Sequence, residues 1–246
     1  MPTQNNTDTS ILSHLRELRQ RVTIAVITYV LGVFVLMYFS SAVFDFMATP
    51  LRSALPPDTP LIFLNAPDVF FTYLKIALVL SLFVTAPITF YQAWAFIAPG
   101  LYAEEKTVFL SFFLSSILLL FIGGTFAFYV VFPIIFKFFL SFSTDTIQAM
   151  PAIKEYLSLV LKLLFAFGMS FQVPIIVVIL TRLGIVEAKD LADKRRYVIV
   201  WAFIFSAVLT PPDIVSQILL AIPMYGLFEI GVFIAYRLEK ADAKTE

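Results

Sequence analysis

The sequence predicts an all-α integral membrane protein with six transmembrane helices. Three observations carry this reading. The chain is 60% hydrophobic and 14% charged, with a mean hydropathy of +0.92. Several uncharged apolar runs reach the ~20 helical residues that cross ~30 Å of hydrocarbon. The roughly 10-residue alternating segments of a membrane β-barrel are absent.

The elements follow in order. Ser13 to Arg21 reads SHLRELRQR and holds the only histidine, His14. From Val22 to Val43 nothing is charged, which places the first span there. That run is too long for a signal-peptide core, and no small-residue cleavage site follows it. The second span is expected at Val69–Phe90, the third at Thr107–Phe132 and the fourth at Tyr156–Leu180. The fifth, Tyr197–Thr210, is too short for the hydrocarbon thickness at ~1.5 Å rise per residue. The sixth, Ile214–Tyr236, carries Pro223 and Glu229. Asp213, after Pro211-Pro212, suits a helix cap at its start. The fifth and sixth spans are expected to form a short hairpin, which must thin the bilayer or shelter beside longer helices. Segments 44–68 and 133–155 are long, aromatic and proline-bearing. They read as caps or surface-lying helices, or as ordinary connections. One membrane domain is expected over 1–246: an N-terminal segment 1–21, a bundle 22–236 and a tail 237–246.

Basic residues set the orientation. Arg16, Arg19, Arg21, Lys106, Arg182, Lys189, Lys194, Arg195, Arg196, Arg237, Lys240 and Lys244 fall on the side of the N-terminus. Only Arg52, Lys137 and Lys154 fall on the other. The positive-inside rule then puts both termini in the cytoplasm. Lys75 and Lys162 fall inside spans, and each precedes a proline (Pro87, Pro174) by the same interval. This is a faint internal echo, of the kind a transporter repeat or chance can leave.

Composition excludes several functions. A net charge of +0 gives no attraction to nucleic acid, and no cysteine means no disulfide or thiolate chemistry. One histidine leaves little for a metal site or a serine–histidine pair. Gly168-Met169-Ser170 is followed by Phe171 rather than glycine, and no span core holds the paired aspartates of an intramembrane protease. No enzyme activity, cofactor or metal is expected.

Ionisable residues within spans default to functional candidates. Glu229 is the clearest, followed by the polar Gln172 and Gln217. Gln172 reads equally as interhelical glue. On the N-terminal side, Glu17, Glu104 and Glu105 are acids among cations, suited to receive guanidinium groups bidentately. The plainer readings are an i,i+4 pair of Glu17 with Arg21, and a solvated helix start for Glu104 and Glu105.

Together, SHLRELRQR, Pro50, FIAPGLYAEEK, FGMSFQVP and TPPDIVSQILLAIPMYGLFEIG resemble TatC, the core-subunit family of the twin-arginine protein translocase. The resemblance covers about residues 10 to 236. It implies a six-helix, glove-like concave bundle in the bacterial inner membrane. It implies a receptor for signal peptides with paired arginines on folded precursors, with export driven by the proton-motive force. The implied signal-binding residues are Glu17 and Glu105, flanked by Arg19, Phe96 and Leu101. Pro50 matches an outer-loop proline. Asp213 and Gln217 match polar positions of the last hairpin tied to transport and partner contact. Single-span TatA and TatB partners are expected on the fifth and sixth spans, with self-association in a larger complex. Many members carry glutamate in the fourth span where this chain has Gln172, so a role requiring charge there is excluded. The alternative is a secondary transporter of a small solute, which needs midplane polar groups. Gln172 and Glu229 are nearly all the chain offers.

Overall fold

The computed structural model describes residues 5–56, 59–101, 106–144, 150–210 and 213–242, with side chains over 14–56, 59–96, 109–144, 150–210 and 213–240. Among the described residues, ten α-helices and a π-turn follow one another: α1 (Asn5–Tyr38), α2 (Ser40–Arg52), α3 (Asp68–Leu101), α4 (Lys106–Phe126), the π-turn (Ala127–Val131), α5 (Phe132–Leu140), α6 (Ile153–Ser170), α7 (Val173–Arg182), α8 (Ala188–Asp193), α9 (Arg195–Leu209) and α10 (Ile214–Asp242).

Among the described residues, five stretches are long and apolar enough to cross a membrane: His14–Tyr38, Asp68–Phe96, Phe109–Leu140, Ile153–Arg182 and Ile214–Lys240. The expected fifth span coincides with α9, whose 15 residues reach only ~22 Å and which is not among these five. Two expectations are corrected. The first span ends at Tyr38 rather than Val43, because the chain breaks at Phe39 and restarts as α2. The sixth span is not short: α10 runs for 29 residues, so the hairpin is lopsided.

The fourth span is broken just before its proline, unlike α3 and α10, which run on through Pro87 and Pro223. Pro174 offers no N–H to the preceding turn. Accordingly α6 stops at Ser170 and α7 begins at Val173 with Pro174 in its first turn. The third span keeps going instead, through the wide turn of Ala127–Val131 into α5.

α6 is the hub. The Ile153–Arg182 stretch that it opens is the most enclosed, with 67% of its most apolar part buried, against 6% for that of His14–Tyr38. Lipid gives no hydrophobic drive between helices, so close packing must hold them. Phe132, Phe167, Ile76, Ile135, Leu157 and Leu163 are fully enclosed at the centre. The Phe83 ring of α3 enters a slot between Gly124 and Gly168, where an added Cβ would come within 3.1 and 2.8 Å of it. α1 leans almost wholly on α3, antiparallel to it.

The side opposite the N-terminus, here the far side, carries a cap. α2 lies there, and the Tyr156 hydroxyl donates to the Met47 carbonyl at 2.7 Å. Backbone bonds join the 53–67 loop to the start of α6, with Ile153 N–H on the Ile62 carbonyl at 2.8 Å. Lys154 pairs with the buried Asp68 at 3.0 Å. The 44–68 segment is therefore tied down as a cap, whereas of the 133–155 segment residues 133–140 continue the third membrane-crossing stretch and 151–154 join the cap.

Candidate functional site

Of the expected recognition residues, Glu17 and Arg19 of α1 and Phe96 of α3 lie on the near side, with the N-terminus. α1 continues well before the apolar run, so SHLRELRQR is helical and its side chains recur every turn. His14 stacks on Phe96 of α3, with centroids 4.4 Å apart and planes 24° from parallel. Glu17 stands one turn further along α1. Its Oε1 accepts from Arg21 Nε at 2.9 Å and Nη2 at 2.6 Å. The local i,i+4 pair anticipated from the sequence is therefore present. Arg19 is exposed beside it, its carbonyl accepting from Thr23 Oγ1 at 2.7 Å. Leu101 closes α3, but its side chain lies outside the described residues, as do Glu104 and Glu105. The structure thus stacks His14 of α1 on Phe96 of α3, with Glu17 one turn along α1 from that stack. His14 was not singled out as a contact, because a stack across so many residues has no local sequence signature.

A second polar node sits inside the bundle at the break between α6 and α7. Gln172 is buried, and its Nε2 donates to the Ser116 carbonyl of α4 at 3.2 Å. Trp94 Nε1 of α3 donates to Ser116 Oγ at 3.0 Å. That hydroxyl donates back to the Phe112 carbonyl at 2.9 Å, while the Trp94 ring stacks on Phe112 at 5.4 Å. Three helices are pinned together without a charge. The amide is a donor here, a part an ionised carboxylate cannot play. Gln172→Leu is expected to lower stability by about 1–2 kcal/mol, read as an earlier thermal transition of the purified protein in detergent. An unchanged transition would remove Gln172 as a brace.

The α9–α10 hairpin holds the remaining candidates. Asp213 acts as the cap foreseen for it: its Oδ1 accepts from Ser216 N–H at 2.7 Å. Gln217 Nε2 donates to the Phe203 carbonyl at 3.1 Å, tying α10 to α9. Glu229 is not a free acid. Arg195, the first residue of α9, grips it with Nε on Oε1 at 2.7 Å and Nη2 on Oε2 at 2.9 Å. The Tyr225 hydroxyl adds a third bond to Oε1 at 2.6 Å. Nearby, Glu239 accepts from the backbone N–H of Ala188, fastening α8 to α10. Pro50 is buried within α2 of the far-side cap, apart from both the near-side group and the hairpin. Among the described residues no cluster of three potential metal ligands occurs.

Comparisons with known proteins agree with this architecture. Residues 13–223 match the family described as Sec-independent protein translocase protein (TatC). A Magnetococcus marinus protein named Sec-independent protein translocase protein TatC is 44% identical over 237 residues, covering 96% of this chain and 87% of that one. An Escherichia coli protein of the same name is 43% identical over 223 residues, covering 91% and 86%. A crystal structure titled Twin Arginine Translocase Receptor- TatC superposes with a TM-score of 0.82 at 38% identity, covering 91% of this chain and 98% of that one. The chain therefore belongs to the TatC family: a multi-pass inner-membrane protein, it is a transport subunit of the Sec-independent translocase and not an enzyme.

Proposed function

We propose that this chain is the receptor of its translocase, reading paired-arginine signal peptides at the near side and recruiting single-span partners at the α9–α10 hairpin. In this reading α9 completes six crossings, both termini are cytoplasmic, and the proton-motive force drives export of folded precursors. The observation that carries it is the His14–Phe96 stack between α1 and α3, with the Glu17 carboxylate one turn along α1. A carboxylate beside an aromatic surface suits a guanidinium followed by an apolar segment. The Glu17–Arg21 pair is no obstacle. Such i,i+4 pairs contribute only ~0.2–0.5 kcal/mol, so an incoming arginine fork can displace Arg21. Glu105 supplies the second carboxylate, with Arg19 and Leu101 at the margins. Asp213, Gln217 and Pro50 act through partner contact and the cap. TatA- and TatB-type helices find an apolar, exposed face on α9, where Trp201, Phe205 and Val208 point outward. Copies of the chain associate within that larger complex.

The transporter alternative fares worse. The polar groups it needs, Gln172 and Glu229, are spent on Ser116 and Arg195. The test is charge reversal. Glu17→Arg with Glu105→Arg is expected to abolish photo-crosslinking to an Arg-Arg signal while leaving membrane insertion intact. Normal crosslinking, or equal crosslinking of wild type to Lys-Lys and Arg-Arg signals, would refute the reading.

A further inference from the structure

The two lysines inside the spans have no place in signal recognition. Lys75 of α3 and Lys162 of α6 are both exposed, and among the described residues neither has a carboxylate within 4 Å. They lie deep for charged groups: Lys75 about 10 Å along the axis from the start of α3, and Lys162 about 14 Å from the start of α6. They share one face. Lys75 Nζ reaches across the helix pair to Ser158 Oγ at 3.1 Å. Ser158 in turn stands one helical turn before Lys162, on the same side of α6. A lysine that merely snorkels extends along its own helix toward the headgroups. Lys75 turns sideways into the α3–α6 seam instead.

The acids nearby do not neutralise this seam. Asp68 is buried and already held by Lys154 at 3.0 Å, with Asn65 Nδ2 donating to its other oxygen at 3.3 Å. Glu155 stands at the mouth, on the Ser158 face but about 10 Å along the axis from Lys162. A net positive charge remains, open to the side and flanked by exposed Phe71 and Phe165. The missing counter-charge must then come from outside the chain, in a form at home between apolar walls.

We propose that the Lys75–Ser158–Lys162 seam is a binding site for the phosphodiester of an anionic phospholipid of the far-side leaflet. The two ammonium groups and the hydroxyl supply donors to the phosphate oxygens, and the acyl chains run down the apolar faces of α3 and α6. This inference is independent of the signal-receptor reading.

The test uses the full chain in nanodiscs of phosphatidylcholine doped with phosphatidylglycerol, with retained lipids counted by native mass spectrometry. Wild type is expected to retain phosphatidylglycerol selectively. Lys75→Gln and Lys162→Gln should each lower that selectivity about fivefold, the weight of one basic residue at an anionic surface. Lys75→Arg with Lys162→Arg should keep it. Lys137→Gln, a far-side lysine away from the seam, should leave it unchanged. Undiminished selectivity in the double glutamine variant overturns the proposal. So does an equal fall in Lys137→Gln, which would mark general surface attraction. Displacement of the lipid by inorganic phosphate alone also overturns it, assigning the seam to a soluble anion.

Discussion

Gly231→Val is expected to destabilise the protein by about 1–3 kcal/mol, lowering its thermal midpoint by roughly 2–10 °C. A Cβ at 231 would sit 2.9 Å from Pro174 Cα and 3.0 Å from Val177 Cβ. Pro174 is backbone at the break between α6 and α7 and cannot swing aside. The helices must part, opening the cluster of Val177, Phe228, Val232 and Ala235 that joins α10 to α7. The same helix supplies its own control. Gly226 has nothing within 4 Å of its would-be Cβ, so Gly226→Val should leave the midpoint near that of wild type. Thermal unfolding in detergent, followed by size exclusion, compares the two. Equal midpoints for both variants would mean that α7 and α10 are not locked at this contact.

Breaking the Arg195–Glu229 grip is expected to remove most export of a twin-arginine precursor. Both oxygens of Glu229 are engaged by the guanidinium, and Tyr225 fixes the carboxylate from its own helix. α9 is otherwise held mainly by α10, so this fork sets how deep the short helix sits. Glu229→Leu strands a guanidinium at the root of α9, and Arg195→Leu strands a carboxylate within an apolar span. Either helix then shifts to reach water. Arg195→Glu combined with Glu229→Arg should recover much of the activity, since the opposite charges still meet. Because the chain has no cysteine, Phe203→Cys with Gln217→Cys reports register directly. Disulfide formation should fall in the single charge variants and return in the swap. Wild-type export by both single variants would show the pair to be incidental.

What could be read in advance follows the range of each interaction. Glu17 with Arg21 and the cap at Asp213 are local, and their spacing states them outright. The helical class follows from the length of the apolar runs. The end of the first span does not, because Tyr38-Phe39-Ser40 is as apolar and uncharged as the helix before it and carries no glycine or proline to mark a break. The charged partners Asp68–Lys154 and Arg195–Glu229 join different helices, and no period in the sequence couples them. Gln172 shows a further limit. Its side chain stands out in an apolar span, yet its partner is the Ser116 carbonyl, and backbone carries no residue identity to search for. Glu105, proposed as the second carboxylate, lies outside the described residues, and the family resemblance is what singles it out.

The π-turn at Ala127–Val131 makes chain length a structural variable. A wide turn of this kind accommodates one residue more than an α-helix needs. Losing a single residue there would restore ordinary winding with the helix beyond still in phase, whereas losing one from the α-helical turns before it would swing everything beyond by roughly 100°. Phe132, Ile135 and Phe136, now enclosed, would turn toward lipid, and the cap above them would lose its floor. Sequence alignments across this span should therefore place a single-residue gap at the π-turn rather than in the α-helical turns that flank it.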